Sequence, residues 1–308
     1  MGIILSVLGI EEPTSYENPQ KKILATLYGI QISLAHLLNV LISIFVVVLI
    51  ILLECGVIPS VIQGFYCRDP LISHKYKGDT ITTETLGVLA VLVPLLIITS
   101  TELLAHQSFK KINVYTVVFY MQECTVGAVL VLLLTSIAKV IVGEHRPHFF
   151  DMCQPDTAVN CTIGEFIETY KCTNTAKFSY LDLVDASLSF PSGHSSVSWF
   201  LGIYLCFVIH IRTITINVGY VMKPFLISIA LTLSLVCSLS RITDRRHHWW
   251  DVLAGSILGI LVALYYIVVV SEKIKKNDPI LRSYSLAEDI PGMQLSRNNL
   301  ETSSNVTF

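Results

Sequence analysis

The chain alternates between long apolar stretches and shorter polar segments. A transmembrane helix needs about 20 mostly apolar residues, and six stretches meet that length. They occupy residues 33–54, 86–105, 115–138, 195–211, 224–240 and 250–271. The pattern predicts an all-α polytopic membrane protein with six transmembrane helices.

The composition agrees with lipid as the solvent for most of the chain. Of the 308 residues, 53% are hydrophobic and 14% are charged, and the mean hydropathy is +0.64. Soluble domains carry roughly 25% charged residues. The net charge is −2 and no long basic run is present, so nucleic acid is not an expected partner.

The pattern divides the chain into three segments. Residues 1–30 are predicted to be a cytosolic N-terminal segment, and residues 31–272 form the membrane domain, with a long loop near 141–191. Residues 273–308 are polar without an apolar period, which predicts a disordered cytosolic tail. The first apolar stretch is too long for the core of a signal peptide, so we expect it to be retained.

Four cysteines lie in loops on one side of the predicted membrane. Cys67 follows the first span, and Cys153, Cys161 and Cys172 lie in the long loop. They are enough for two disulfides in an oxidising compartment, and three connectivities are open. A glycosylation sequon at Asn160 has meaning only in a lumenal or extracellular segment. We therefore expect the termini in the cytosol and the long loop outside.

Three polar segments interrupt the apolar pattern at the ends of spans. Lys139–Phe149 leaves span three, Ser189–Phe200 opens span four, and Ser240–Asp251 joins spans five and six. No span separates the first two segments, and two spans separate the second from the third. Since an even number of crossings returns the chain to the same side, all three segments are predicted to open at one membrane surface.

The residue types in these segments favour a phosphate group. Lys139, Arg146 and Arg241 are cations without obvious carboxylate partners in equal number nearby, and such a set suits a multivalent anion. Ser192 and Gly193 stand at the expected N-terminus of a span, where backbone N–H groups and the helix dipole favour an anion. The sequence therefore predicts a phosphate-binding site.

Histidines in the same segments supply groups for phosphoryl transfer. Asp251 lies four residues after His247 and three after His248, so on a helix it can meet either ring. A carboxylate that holds Nδ1–H leaves Nε2 free to attack phosphorus. His194 is the natural general acid for the leaving oxygen. The spacing predicts a nucleophile, its carboxylate and an acid, and it does not choose between the two neighbouring histidines.

The three segments together resemble the signatures of the phosphatidic acid phosphatase type 2 superfamily. Lys139–Pro147 fits K-x6-R-P, Pro191–His194 reads PSGH, and Ser240–Asp251 fits S-R-x5-H-x3-D. The flanks HFFDMC, HSSVS and HHWWDVLAG are similar to its animal lipid phosphate phosphatase branch, as is FYCRDPLISHKYKGDTIT after span one. The likeness covers residues 30–272.

The resemblance implies a haloperoxidase-like helical bundle that removes phosphate from lipid phosphates without a metal or cofactor. The implied substrates are phosphatidate, lysophosphatidate, sphingosine 1-phosphate and ceramide 1-phosphate. The resemblance also implies that the active site lies at the outer or lumenal face, most often of the plasma membrane, and that the enzyme can form homo-oligomers. The motif spacing selects His247 as the nucleophile, with Asp251 to orient it and His194 as the acid. The implied phosphate-binding residues are Lys139, Arg146, Ser192, Gly193 and Arg241.

Two neighbouring positions depart from the family pattern. Many relatives carry Arg-Leu directly before the Arg-Pro pair, and this chain carries Glu144 and His145. An acid there either weakens anion binding or is turned away from the phosphate, and the sequence leaves both open.

Three other functions compete on the residues alone. A transporter or receptor also places ionisable groups in membrane helices. A serine hydrolase would need Ser192 and His194 to face each other, which residues two apart on a helix do not. A metal hydrolase would draw on His145, His148, His247, His248 and Asp251, although the neighbouring cations disfavour a metal ion.

Overall fold

The computed structural model of the chain describes residues 19–106, 114–213 and 220–277. The chain divides at residue 51 into two compact units. The polar segments at the ends of spans three to six lie in the unit that begins at Leu52. The tail was predicted from residue 273, but the last helix continues to Asn277. The remainder of the tail, the sequence before residue 19 and parts of two short connectors lie outside the described residues.

The described residues are mostly helical, and six helices in them are long and apolar enough to cross a membrane. The prediction of six spans is confirmed. In chain order the helices are α1 (Pro19–Glu54), α2 (Thr83–His106), α3 (Val114–Val142), α4 (Phe149–Cys153), α5 (Tyr180–Asp185), α6 (Gly193–Arg212), α7 (Met222–Thr243) and α8 (Trp249–Asn277). The short helices α4 and α5 lie in the long loop. Each spanning helix extends past the predicted apolar stretch at one or both ends, so polar end residues such as Lys139 are helical.

Helix α6 is the centre of the bundle. It packs against α2, α3, α7 and α8, and its inward side chains, among them Phe200, Tyr204 and Val208, are fully buried. Lipid tails are as apolar as these side chains, so close packing between helices holds such a bundle together. The position of α6 brings its N-terminus next to the ends of α3, α7 and α8.

Two glycines allow α8 to lie directly against the N-terminal half of α6. A Cβ added at Gly255 would sit 2.5 Å from the carbonyl oxygen of Ser192, and one at Gly259 would overlap the carbonyl oxygen of Ser196. Small residues permit this approach of backbones in membrane helices. The consequence is that Asp251, one turn before Gly255, is held beside Ser192.

The loops after α1 and α3 form a small layer over one end of the bundle. Strands β1 (Phe65–Tyr66) and β2 (Phe166–Ile167) pair antiparallel, with Phe65 opposite Ile167. Phe65 and Phe149 are buried in a small core of this layer. The pairing ties the first loop to the long loop.

Two disulfides reinforce the same layer. They join Cys67 to Cys161 and Cys153 to Cys172. The prediction that these four cysteines form two disulfides is confirmed, and the structure supplies the pairing that the sequence left open. Asn160 is exposed beside Cys161, and its glycosylation stays a prediction.

Candidate active site

The structure brings the three polar segments together, as the number of crossings predicts. The backbone N–H of Ser189 donates to the carbonyl of Glu144 at 2.8 Å, which joins the first segment to the second. The N–H of Ser192 donates to the carbonyl of Asp251 at 3.1 Å, which joins the second to the third. The site is therefore built by backbone hydrogen bonds between distant parts of the chain, and its geometry depends on the fold of the whole bundle.

The two predicted arginines are buried and paired with carboxylates, so the expectation that they lack such partners was wrong. Arg146 forms an ion pair with Asp185, and its Nε donates to the Asp185 carbonyl at 2.7 Å. Arg241, 1% exposed, donates to Asp79 at 2.8 Å and to Asp244 at 3.0 Å. Asp79 and Asp185 lie far from these arginines in the sequence, so proximity along the chain did not find them, whereas Asp244 is three residues from Arg241 and was overlooked.

Lys139 has a looser partner than the two arginines. It lies in the last turn of α3, where its Nζ is 4.0 Å from Glu54. The other oxygen of Glu54 accepts a hydrogen bond from Ser136 at 2.6 Å. The ammonium group is thus buried near one carboxylate without a close ion pair.

A third arginine, which sequence reasoning missed, links these pairs. Arg246 contacts Asp185 at 2.9 Å and Asp79 at 3.1 Å, so arginines and aspartates alternate from Arg146 to Arg241. Burial opposes the charge of Asp185, yet Arg146 and Arg246 hold the pKa of that carboxyl below its usual range. The signal was present, since Arg246 directly precedes His247 in the third segment. Carboxylates that fix the guanidinium groups in advance reduce the entropy that anion binding would cost.

His247 lies beside these cations and is 3% exposed. Its Nδ1 is 3.4 Å from Ser189 Oγ and 3.5 Å from Asp251 Oδ2. Burial, together with the nearby charge of Arg146, lowers the pKa of His247 to about 3. The imidazole is therefore neutral near pH 7, the form that can act as a nucleophile. His247 also lines a cavity of about 210 Å³ together with His248, Trp249 and Trp250.

Asp251 is fully buried, and one of its carboxylate oxygens accepts more than one hydrogen bond. Its Oδ2 accepts hydrogen bonds from Ser189 Oγ at 2.5 Å and from the backbone N–H of His248 at 2.9 Å. The Nδ1 atoms of His248 and His247 lie 3.3 and 3.5 Å from the same oxygen, so distance does not choose between the rings. Ser189 was not singled out from the sequence, although it opens the segment that contains PSGH.

The surroundings of the two histidines differ. His248 stacks in parallel on Trp250, with ring centroids 4.5 Å apart, and its Nδ1 lies 3.7 Å from Glu144. His247 instead lies within electrostatic range of Arg146 and Lys139. Only His247 therefore combines the Asp251 contact with the cations.

The second segment opens α6 as predicted. Ser192 is the N-cap, and its Oγ accepts from the Ser195 N–H at 3.4 Å. A Cβ added at Gly193 would meet nothing closer than Thr135 Cγ2, at 3.8 Å, so the space beside this glycine is open. The first turn of α6 thus offers backbone N–H groups to an anion.

His194 is oriented by the loop that precedes α2. Its Nε2–H donates to the carbonyl of Ile81 at 3.1 Å, which leaves Nδ1 for proton transfer. Lys139, Arg146 and Arg241 are all within electrostatic range of the ring. Because this bond turns the imidazole toward Ile81, the arrangement does not match a serine hydrolase in which His194 would activate Ser192.

The described contacts of the Glu144 carboxylate are with Trp250, His248 and Asp251. Its carboxylate accepts a hydrogen bond from Trp250 Nε1 at 2.8 Å. Burial raises the pKa of Glu144, and the neighbouring charge of Asp251 raises it further. Of the two possibilities left open by the sequence, these contacts favour the one in which the acid is turned away from the phosphate.

Three residues that could act as metal ligands lie close together. Atoms of Glu144, His248 and Asp251 lie within 4.8 Å of one another. Two of the other histidines that such a site would draw on are engaged elsewhere: His145 Nε2–H donates to the Gln63 carbonyl at 2.8 Å, and His148 Nδ1–H donates to the Arg245 carbonyl at 2.9 Å. Burial lowers the pKa of both rings to about 4. The two carboxylates in this group already accept hydrogen bonds from Trp250 and Ser189.

Comparison with known proteins gives a consistent result. The PAP2 superfamily matches residues 123–275. Phospholipid phosphatase 1 of Mus musculus is 33% identical over 66% of this chain and 74% of its own length. Phospholipid phosphatase 1 of Rattus norvegicus is 30% identical, over 70% and 78%, and phospholipid phosphatase 2 of Homo sapiens is 29% identical, over 70% and 76%. No solved structure matches the chain significantly.

Proposed function

The chain belongs to the PAP2 superfamily, and from that premise we propose that it is a multi-pass membrane phosphatase that hydrolyses lipid phosphate monoesters. The substrates are phosphatidate, lysophosphatidate, sphingosine 1-phosphate and ceramide 1-phosphate. One observation carries the proposal: Lys139 and Arg146, from the first segment, lie within electrostatic range of both His247 and His194. Cations around a neutral imidazole and an acid are what transfer of a phosphoryl group requires.

The first step forms a phosphohistidine. His247 Nε2 attacks phosphorus, and the bond between phosphorus and the lipid oxygen breaks with its electron pair left on that oxygen. His194 Nδ1 gives the leaving oxygen a proton, so a lipid alcohol departs. The bound phosphate supplies the negative charge that stabilises protonated His194, and Lys139, Arg146 and Arg241 stabilise the phosphoryl oxygens.

The second step releases inorganic phosphate. Water gives a proton to His194 and attacks phosphorus, and the P–N bond breaks with its electrons returning to His247. This water takes the place that the lipid alcohol has left, beside His194 and in line with the P–N bond. Asp251, fixed by Ser189, holds the imidazole through Nδ1 in both steps. The cycle ends with the enzyme in its starting protonation state.

The reaction takes place on the outer or lumenal side of the membrane. The two disulfides lie in the same loops that supply Asp79 and Asp185 to the site. Disulfides persist in oxidising compartments, so the site faces the exterior or a lumen. The plasma membrane is the proposed location, with the active site extracellular, and association into homo-oligomers stays a prediction.

The test is phosphate release by membranes that contain the full-length chain. We expect His247→Gln to lower the rate of phosphate release from lysophosphatidate by roughly 1,000-fold or more, while the protein remains in the membrane. His248→Gln is the matched control, since its ring faces Glu144 and Trp250, and it is expected to retain most of the turnover. Rapid quenching with labelled substrate should trap an acid-labile phosphoenzyme in the parent chain and none in His247→Gln. Undiminished turnover in His247→Gln would overturn the assignment.

A further inference from the structure

An apolar cavity of about 420 Å³ lies beside the candidate active site. The end of α3 at Val140 forms one wall, the segment from Gly56 to Ile62 forms a second, and the segment from Tyr180 to Leu188 forms a third. Its volume falls within the range of about 300–1,000 Å³ that is usual for ligand sites. The proposed catalytic steps do not use it.

The lining of the cavity suits hydrocarbon. None of the described side chains that line it is charged, and most are aliphatic. Two of them, Val61 and Ile62, are 53% and 71% exposed, and the neighbouring Val57 is 65% exposed. These residues directly follow the end of the spanning helix α1, so the mouth of the cavity lies where hydrocarbon meets the headgroups. An exposed apolar rim around a cavity marks a binding surface rather than ordinary solvent-facing structure.

The walls of the cavity continue into the residues that surround the phosphate site. Val140 directly follows Lys139, and Val184 directly precedes Asp185, the ion-pair partner of Arg146. The N–H of Arg146 donates to the carbonyl of Ala186 at 2.9 Å. The same two segments therefore form both the cation cluster and the apolar wall, which places a hydrocarbon site next to a phosphate site.

Hydrogen bonds to the backbone carbonyls at the end of α3 hold the wall of the cavity in place. The N–H of Val61 donates to the carbonyl of Val140 at 3.0 Å, and Gln63 Nε2 donates to the carbonyl of Val142 at 2.6 Å. Gly143 has a φ of +64°, and an added Cβ would overlap the Val61 carbonyl. The segment over the end of α3 is thus fixed in place, and the cavity has a defined size.

We propose that this cavity binds the hydrocarbon chain of the substrate where it joins the phosphate-bearing backbone, so that it selects among lipid phosphates by chain length. The inference rests on the proposed function, because it assigns the apolar part of the same substrate. Membrane lipid is as apolar as the cavity, so the chain gains little free energy from burial alone. Selection arises from fit: a chain that fills the space positions its phosphate, and a chain that does not fit leaves the phosphate misplaced.

The experiment fills the cavity from α5. Leu183 lines the cavity, whereas Leu181 lies in the same short helix, is 50% exposed and is absent from the lining. We compare Leu183→Trp with the matched control Leu181→Trp in detergent micelles. The readout is kcat/KM for dipalmitoyl phosphatidate divided by kcat/KM for dihexanoyl phosphatidate. We expect this ratio to fall about tenfold in Leu183→Trp, in the range that apolar pockets give for a misfitting chain, and to stay at the parent value in Leu181→Trp.

A second variant covers the case in which the larger side chain prevents folding. Leu183→Ala enlarges the cavity and is expected to raise the same ratio at least twofold (roughly, by the same reasoning on pocket fit). A ratio that equals the parent value in both Leu183 variants would overturn the proposal, because an annular lipid rather than the substrate would then occupy the space. Failure of the proposed function looks different: the parent chain would release phosphate from neither phosphatidate.

Discussion

Buried charges occur at both ends of the helical bundle, and the two ends use them differently. At the end opposite the candidate site, Glu123 of α3 accepts hydrogen bonds from Lys273 at 2.8 and 2.9 Å and from Tyr266 at 2.9 Å, both in α8. Glu102 of α2 pairs there with Arg212 of α6. These contacts join one spanning helix to another. Glu123 lies about 24 Å from Lys139 along α3, at 1.5 Å per residue.

At the site end, the partners of the buried arginines lie outside the spanning helices. Asp79 and Asp185 lie outside the spanning helices and hold Arg241 and Arg146. His247 borders a cavity and keeps Nε2 free of hydrogen bonds from the described side chains, whereas both oxygens of Glu123 are occupied. The comparison teaches that a buried charge in a membrane helix does not by itself mark a functional site. A reactive atom that is left without a hydrogen bond beside fixed charges is the better indicator.

The largest expected effect comes from a comparison in which one carboxylate charge is removed at each end of the bundle. Asp251→Asn keeps the side-chain shape but loses the charge that orients His247, so we expect kcat to fall by roughly 1,000-fold or more. Glu123→Gln removes a charge at the opposite end and should leave kcat within about twofold. Phosphate release from lysophosphatidate measures both. A parent-like rate in Asp251→Asn would remove Asp251 from the site.

A smaller effect is expected from replacement of a buried arginine by lysine. Arg241→Lys keeps the charge but loses the planar group that contacts Asp79 and Asp244, so kcat/KM should fall about 100-fold. The control, Arg212→Lys at the opposite end, should lower thermal stability and change kcat/KM by no more than about threefold. If both variants lost turnover equally, the distinction between the two ends would fail.

Low pH should destabilise the end of the bundle that contains the candidate site. The unfolded chain protonates histidines near pH 6.5, whereas burial lowers the pKa to about 4 for His145 and His148 and to about 3 for His247. Between these pH values the unfolded state binds more protons, so stability falls as the pH drops from 6.5 towards 4. Each histidine contributes up to about 1.4 kcal/mol per pH unit. Protease sensitivity of the loop at 141–191 should rise over this range, and constant sensitivity would contradict the prediction.

The smallest effect is expected at Glu144. Glu144→Gln retains an acceptor for Trp250 Nε1, so kcat should change by less than about fivefold. Glu144→Leu removes that acceptor and leaves the indole N–H unpaired, so a larger loss of stability is expected, of about 1–3 kcal/mol. Thermal unfolding and phosphate release measure the two effects. A 100-fold loss of turnover in Glu144→Gln would place this carboxyl in the chemistry itself.

The sequence by itself determined the membrane architecture and the common location of the motif residues. Apolar length is a local property, so the six spans could be read from the chain, and the number of crossings placed Lys139, His194 and Asp251 at one surface. The N-cap at Ser192 was also local, because the polar residues that begin α6 are adjacent. The four loop cysteines were recognised as a set for the same reason.

Only the tertiary structure decided which groups contact each other. The pairing of Arg146 with Asp185, the link through Arg246 and the direction of Glu144 depend on distances between loops, and residue spacing does not contain those distances. The disulfide pairing and the different surroundings of His247 and His248 follow from the same packing. A buried charge takes whichever partner the fold brings within reach, because its desolvation must be offset locally, and that partner can lie anywhere in the chain.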